Sequence, residues 1–188
     1  MIRRDFLKNA GFLSIGFSLG GSALYVAAQN PAAKPTHWLA EELPPSLRRH
    51  PAIDAWIRIT GEGRIQVFTG KMELGQGIRT AIAQVAAEEL DMPIEKVDVT
   101  LAETGVTPDE GYTAGSGSID NSAMSVRFAA AAAREKLIAM AALSLNTPAS
   151  ELSLKNGSVI AGKTGKAISF SKLLAGKQIT DKVTLPVK

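Results

Sequence analysis

Apolar residues recur along this chain in two rhythms. "AWIRIT" (Ala55–Thr60) and "RIQVF" (Arg64–Phe68) alternate apolar with polar positions. That period of two turns one face of a strand toward a core. Gly61-Glu62-Gly63 lies between them as a turn signal, so the pair predicts a β-hairpin. From Ile78 the period lengthens: Ile78, Ile82, Val85, Ala86 and Leu90 share one face of a helix, which Pro93 stops. "KVDVTLAE" (Lys96–Glu103) returns to alternation and predicts a strand. A second helix is predicted from about Asp120 to Leu145, its alanine run suited to close packing, with Pro148 beyond its end. "LSLKNGSVIAG" (Leu152–Gly162) reads as a hairpin turning at Asn156-Gly157, and "SFSKLLAG" (Ser169–Gly176) as a short capped helix. No regular strand–helix–strand count and no fixed-period repeat emerges. The fold class is therefore α+β: β-hairpins and a short sheet packed against two main helices.

The N-terminus follows neither rhythm. Arg3 and Arg4 precede Phe6, Leu7 and Lys8; an uncharged run then extends from Asn9 to Asn30, and Val26 and Ala28 suit a small-residue cleavage site before Gln29. Glycines and serines make this run too weakly apolar for a stable spanning helix. Residues 1–28 are expected to be a twin-arginine signal peptide directing the chain to the periplasm, with membrane association if the leader is retained. Twin-arginine export carries folded proteins, which hints at a cofactor loaded before export. Residues 29–52 hold five prolines and read as an extended linker, leaving 53–188 as the folded domain.

Composition excludes several kinds of chemistry. Of the net charge of +3, Arg3, Arg4 and Lys8 less Asp5 supply +2, so the remainder of the chain is nearly neutral. Aromatic residues make up 5% and do not alternate with basic ones, so nucleic acid is not an expected partner. Cysteine is absent, which removes disulfides, thiolate zinc sites, iron–sulfur ligation and c-type haem attachment by this chain. His37 and His50 stand in the Pro-rich segment without paired spacing, and no metal ligands are assigned.

Two loop-to-helix junctions remain as candidate chemistry: "ELGQG" (Glu73–Gly77) before the first helix and "TAGSGSID" (Thr113–Asp120) before the second. Unpaired N–H groups at a helix start suit an anion or polar ligand; glycine admits it to the backbone, and Ser116 and Ser118 add hydroxyls. Gln76 offers both a donor and an acceptor, which suits a neutral heterocycle. The same residues also read as turns, with Ser118 or Asp120 as an N-cap. Spacing alone leaves both readings open, and neither junction matches a Walker or dinucleotide fingerprint.

The string "GKMELGQGIRTAIAQVAAEEL" (Gly70–Leu90), followed by "YTAGSGSIDNSAMSVRFAAAAAR" (Tyr112–Arg134), strongly resembles the molybdenum-binding subunit of the xanthine oxidase family. Its pattern is met by Glu73, Gly75, Gln76, Gly77, Thr80, Gln84 and Ala86. Lys71 stands where xanthine oxidases proper have a second glycine, so the branch resembled is that of isoquinoline 1-oxidoreductase beta subunits and periplasmic aldehyde dehydrogenases. The resemblance covers about residues 54–188 and implies a molybdopterin-binding-like domain. It implies oxidation of an aldehyde or hydroxylation of an aromatic nitrogen heterocycle, with molybdenum held by molybdopterin in its cytosine dinucleotide form. Leu74, Gly75 and Gln76 would contact the pterin, while Gly115, Ser116, Gly117 and Ser118 would bind its pyrophosphate or edge. The implied partners are the remainder of the large subunit, a small 2Fe–2S subunit and a cytochrome c subunit.

No catalytic residue is assigned within the chain. The family's activating glutamate has no counterpart, and the motif does not give that role to Glu73 or Glu103. The expectation is the N-terminal part of a molybdenum hydroxylase, catalytic only with its remainder. The alternative is an exported non-enzymatic module that keeps the fold and acts through a partner protein.

Overall fold

The computed structural model describes residues 42–185. The expected leader and the first part of the expected linker lie outside the described residues. Pro45 starts α1 (Pro45–Arg49), a single helical turn whose first position tolerates the missing N–H. The sequence predicts an extended linker, but its described part, residues 42–52, folds onto the domain. Leu47 is fully buried, and Ser46 exchanges hydrogen bonds with the side chain of Asn121. One leucine for the core and two polar clips outweigh the local preference of "PPSLRR" for an open chain.

The predicted hairpin forms. β1 (Ile57–Ile59) and β2 (Ile65–Phe68) are antiparallel, with Ile57 opposite Val67 and Ile59 opposite Ile65. α2 (Ile78–Glu89) follows, then β3 (Val97–Thr100), which lies parallel to β2 with Ile65 opposite Val97 and Val67 opposite Val99. β2–α2–β3 is thus a single strand–helix–strand unit, which the mixed pattern of the sequence did not disclose. Its consequence is positional: parallel neighbours begin and end together, so the segments after β2 and after β3 leave the sheet at the same end. Thr69 N–H donates to Thr100 O at 3.1 Å and Ala102 N–H to Lys71 O at 3.1 Å, carrying the pairing two steps past the strands.

α3 (Met124–Leu145) is entered through a π turn, Ser118–Ala123. Ala129 to Ala133 are five consecutive buried positions, which between them cover the helix circumference. α3 is therefore surrounded over this stretch, where alanine is the side chain that lets neighbours come close on every face. It packs against α2, β1 and the second sheet. That sheet is an antiparallel meander of β4 (Leu152–Lys155), β5 (Ser158–Ala161) and β6 (Ala167–Ser169), with the β4–β5 turn at Asn156-Gly157, both with positive φ. β6 is too short, at three residues, to have shown a period. The Ser169 hydroxyl caps α4 (Phe170–Leu174) by accepting from Lys172 N–H. The chain then returns to the segment before β1: Ile53 N–H donates to Asp181 O and Val183 N–H to Pro51 O. The described residues form a single core around α3, containing Trp56, Ile82, Val126, Leu137 and Phe170 among its fully buried side chains.

Candidate functional site

The first loop runs from Thr69 to Gly77, between β2 and α2. Gly75 and Gly77 take φ of 95° and 76°, a left-handed backbone that favours glycine. With no side chain at Gly77, α2 has no cap of its own, and Glu73 supplies one from outside the helix. Its Oε1 accepts from Gly75 N–H at 3.0 Å and Gly77 N–H at 2.8 Å, and its Oε2 from Arg79 N–H at 3.1 Å. These bonds, led by that from Arg79, hold the Glu73 carboxyl below the ordinary glutamate range. A negative group at a helix N-terminus also meets the positive end of its dipole. Glu73 is thus an anchor of the loop, with both carboxylate oxygens already engaged.

Gln76 is exposed, and its amide closes the loop on itself. Oε1 accepts from Leu74 N–H at 2.6 Å, and Nε2 donates to Met72 O at 2.8 Å. An amide nitrogen has two hydrogens and an amide oxygen two lone pairs. One N–H and one lone pair therefore remain on a side chain that the loop holds fixed.

The second loop runs from Leu101 to Gly117. Glu103 lies exposed in a turn that Thr107 N–H closes on Glu103 O at 3.0 Å. Gly115 and Ser116 have φ of 63° and 55°, and Ser116 is an exposed non-glycine residue held in the left-handed region. The N-cap at Ser118 or Asp120 that the turn reading would give does not form. Gly117 enters the π turn with right-handed φ of −77°, and no side chain caps it. A π turn is strained for its length and recurs at functional sites. No atom lies within 4 Å of where a Cβ would stand on Gly75, Gly77, Gly115 or Gly117, so the backbone at these positions faces open space.

The two loops are joined to each other. Met72 N–H donates to the Thr113 hydroxyl at 2.9 Å, and buried Thr69, Lys71 and Glu110, with half-buried Gly70, add further bonds between the loops. A Cβ on Gly70 would stand 2.3 Å from Pro108 O, so only glycine permits the approach. Sequence reasoning does not single out Thr69, Lys71, Thr113 and Glu110 for this role, because partners about 40 residues apart leave no local signal. Large apolar side chains also crowd this end. Met72 is 52% exposed, Leu74 69%, Tyr112 95% and Ile119 51%, all on the two loops or the turn that follows. The structure thus places Leu74, Gly75 and Gln76 on one loop and Gly115, Ser116 and Gly117 on the other, with Ser118 opening the π turn that follows and the two loops tied together through Met72 and Thr113. These residues fit a polar, ring-containing ligand: a fixed amide, serine hydroxyls, open backbone, and exposed apolar side chains.

Residues 14–188 match the family described as the molybdopterin cofactor-binding domain. The chain is 40% identical over 122 residues to a nicotinate dehydrogenase subunit of Pseudomonas putida, covering 65% of this chain and 10% of that protein. It is 27% identical over 186 residues to the isoquinoline 1-oxidoreductase beta subunit of Brevundimonas diminuta, covering 95% of this chain and 22% of that one. In structure it is similar to the Cu,Mo-CO dehydrogenase, with a TM-score of 0.56 at 25% identity over 63% of this chain and 15% of that one. The chain therefore spans a tenth to about a fifth of the length of the curated relatives it matches.

Proposed function

The chain belongs to the molybdopterin cofactor-binding domain family, and from that premise we propose that its two joined loops form one wall of the molybdopterin site of a molybdenum hydroxylase. The observation that carries this reading is the shared exit of both loops from the parallel β2–β3 pair, together with the exposed apolar residues collected there. Exposed apolar patches mark surfaces that a partner covers. Here the cover is the rest of a molybdenum hydroxylase large subunit. Further subunits, a small 2Fe–2S protein and a cytochrome c, complete the electron path.

Leu74, Gly75 and Gln76 would hold the pterin, Gln76 through its remaining N–H and lone pair. Gly115, Ser116, Gly117 and Ser118 would hold the pyrophosphate of the cytosine dinucleotide form through backbone N–H groups and hydroxyls. When bound, the cofactor supplies a molybdenum centre that takes oxygen from water and electrons from the substrate. This chain binds and orients it. Glu73 does not serve as the base, because its carboxylate is spent on three backbone N–H groups. The substrate is an aldehyde or an aromatic nitrogen heterocycle, and the site of action is the periplasm, reached through the Arg3-Arg4 leader.

Co-expression with the remainder of the large subunit, followed by metal analysis of the purified complex, tests this. We expect molybdenum bound only when both chains are present, with dehydrogenase activity toward an artificial dye. Turnover by the 188-residue chain alone would refute the wall-of-a-site reading.

A further inference from the structure

Lys71 is only 4% exposed, yet its ammonium is directed at backbone. It donates to Glu110 O at 3.0 Å and to Tyr112 O at 2.9 Å, both on the second loop. Glu110 is 5% exposed and reaches in the opposite direction. Its Oε2 accepts from the Thr69 hydroxyl at 2.6 Å and from Gly70 N–H at 2.8 Å, both on the first loop. Each loop thus contributes one buried charged side chain that holds the other loop. Burying a charge is costly, and two loops that merely had to touch could do so through backbone hydrogen bonds alone. Glu110 Oε1 has no partner within the described residues, so the cluster is not optimised for stability. What it does achieve is a fixed spacing, since removing either charge leaves carbonyls or N–H groups of the opposite loop unsatisfied.

We propose that Lys71 and Glu110 are positioning residues: their reciprocal latch sets the spacing of the 70–77 and 110–118 loops, so that Gln76 and the Gly115–Ser118 backbone form one preformed cradle. This rests on the reading of the two loops as the pterin site. A preformed cradle binds without the cost of ordering the loops. The latch lies at the base of the first loop and, in the second, just before the Tyr112–Gly117 stretch, so a change in its spacing is carried into both Gln76 and Gly115–Ser118.

The test uses the cofactor-free complex of the chain with the remainder of the large subunit, prepared with the unaltered chain, with its Lys71→Met variant, and with Val159→Ala as a control that weakens the core in the second sheet. Hydrogen exchange reads the loops directly, and anaerobic titration with free molybdopterin reads the cradle. Lys71→Met should speed exchange at least tenfold in peptides covering 112–118, a loop that Lys71 is not part of, while α3 stays protected. It should also weaken molybdopterin binding at least tenfold. Val159→Ala should lower the thermal midpoint yet bind molybdopterin as the unaltered chain does. If Lys71→Met fails to fold, Thr69→Val, which removes one donor to Glu110 at nearly constant shape, takes its place. Unchanged loop exchange, or unchanged molybdopterin affinity once the loops have loosened, overturns the proposal, as would equal loss of affinity in Val159→Ala. Loosened loops in a complex that binds no molybdopterin even when unaltered would support the latch and refute the proposed function instead.

Discussion

Gly70→Ala puts the approach of the two loops to the most direct test. The added Cβ would stand 2.3 Å from Pro108 O, 3.0 Å from Glu110 N and 3.1 Å from Glu110 Cβ. Favourable carbon contacts lie near 3.5–4.0 Å, so the shortest of these is more than about 1 Å too close. The obstruction is backbone, so no rotamer change relieves it. The 108–110 segment must move, and it is held by the bonds from Thr69, Gly70 and Lys71. Overpacking of this kind costs about 1–3 kcal/mol, and a latch hydrogen bond lost in the movement adds about 1 kcal/mol. We expect about 3 kcal/mol in all, a fall of about 6–12 °C in thermal midpoint for a domain of this size. Gly117→Ala is the internal control: its φ is −77° and nothing lies within 4 Å, so its change should stay within about 0.5 kcal/mol. Calorimetry or circular dichroism melting of the three proteins decides the matter. A Gly70→Ala chain that melts within about 2 °C of the unaltered one, less than 1 kcal/mol, would refute the close approach.

Three further outcomes follow from the loop geometry and the leader. Ser116→Gly should raise stability by about 1 kcal/mol, because it relieves a left-handed serine, while pterin content falls for want of the hydroxyl; lower stability would show that the serine is not strained. The folded-state pKa of Glu73 is depressed, so its contribution to the first turn of α2 is complete above the ordinary carboxylate range and is lost as pH falls through it. Protection factors of the Gly75, Gly77 and Arg79 amides should therefore drop on acidification in the unaltered chain but show no such step in Glu73→Gln. Replacing Arg3 and Arg4 by lysine should leave the protein in the cytoplasm, as read by cell fractionation, and unchanged periplasmic recovery rejects the export reading.

Elements built from local signals were legible in the sequence. The hairpin at Gly61–Gly63, the turn at Asn156-Gly157 and the capped helix after Ser169 each depend on residues within a few positions of one another, and each formed. The parallel β2–β3 pair was not legible, because the helix between them could be read but its period does not say which strands pair, and both strands show the same period of two. α1 was missed because proline signals an open chain and a helix start alike, and only burial of Leu47 decides between them. In the site, glycines and the Gln76 amide could be picked out as unusual. The use of Gln76 to close its own loop, and the capping of α2 by Glu73, depend on how that loop folds back. The Lys71–Glu110 latch joins positions 39 apart, and neither residue carries a local mark of burial.

The central claim is that the two loops hold molybdopterin, and Gln76 is where it is most exposed to test. Gln76→Ala removes both the loop closure and the remaining polar edge, while touching none of the buried core. The measurement is pterin bound per chain, read by fluorescence after release, in the complex purified from cells that make the cofactor. We predict near-stoichiometric pterin for the unaltered chain. For Gln76→Ala we predict a several-fold loss, in line with the roughly 1–3 kcal/mol of one unsatisfied buried hydrogen bond, at a nearly unchanged melting temperature. Equal pterin in both proteins would contradict the account and leave Gln76 as a residue that shapes a turn.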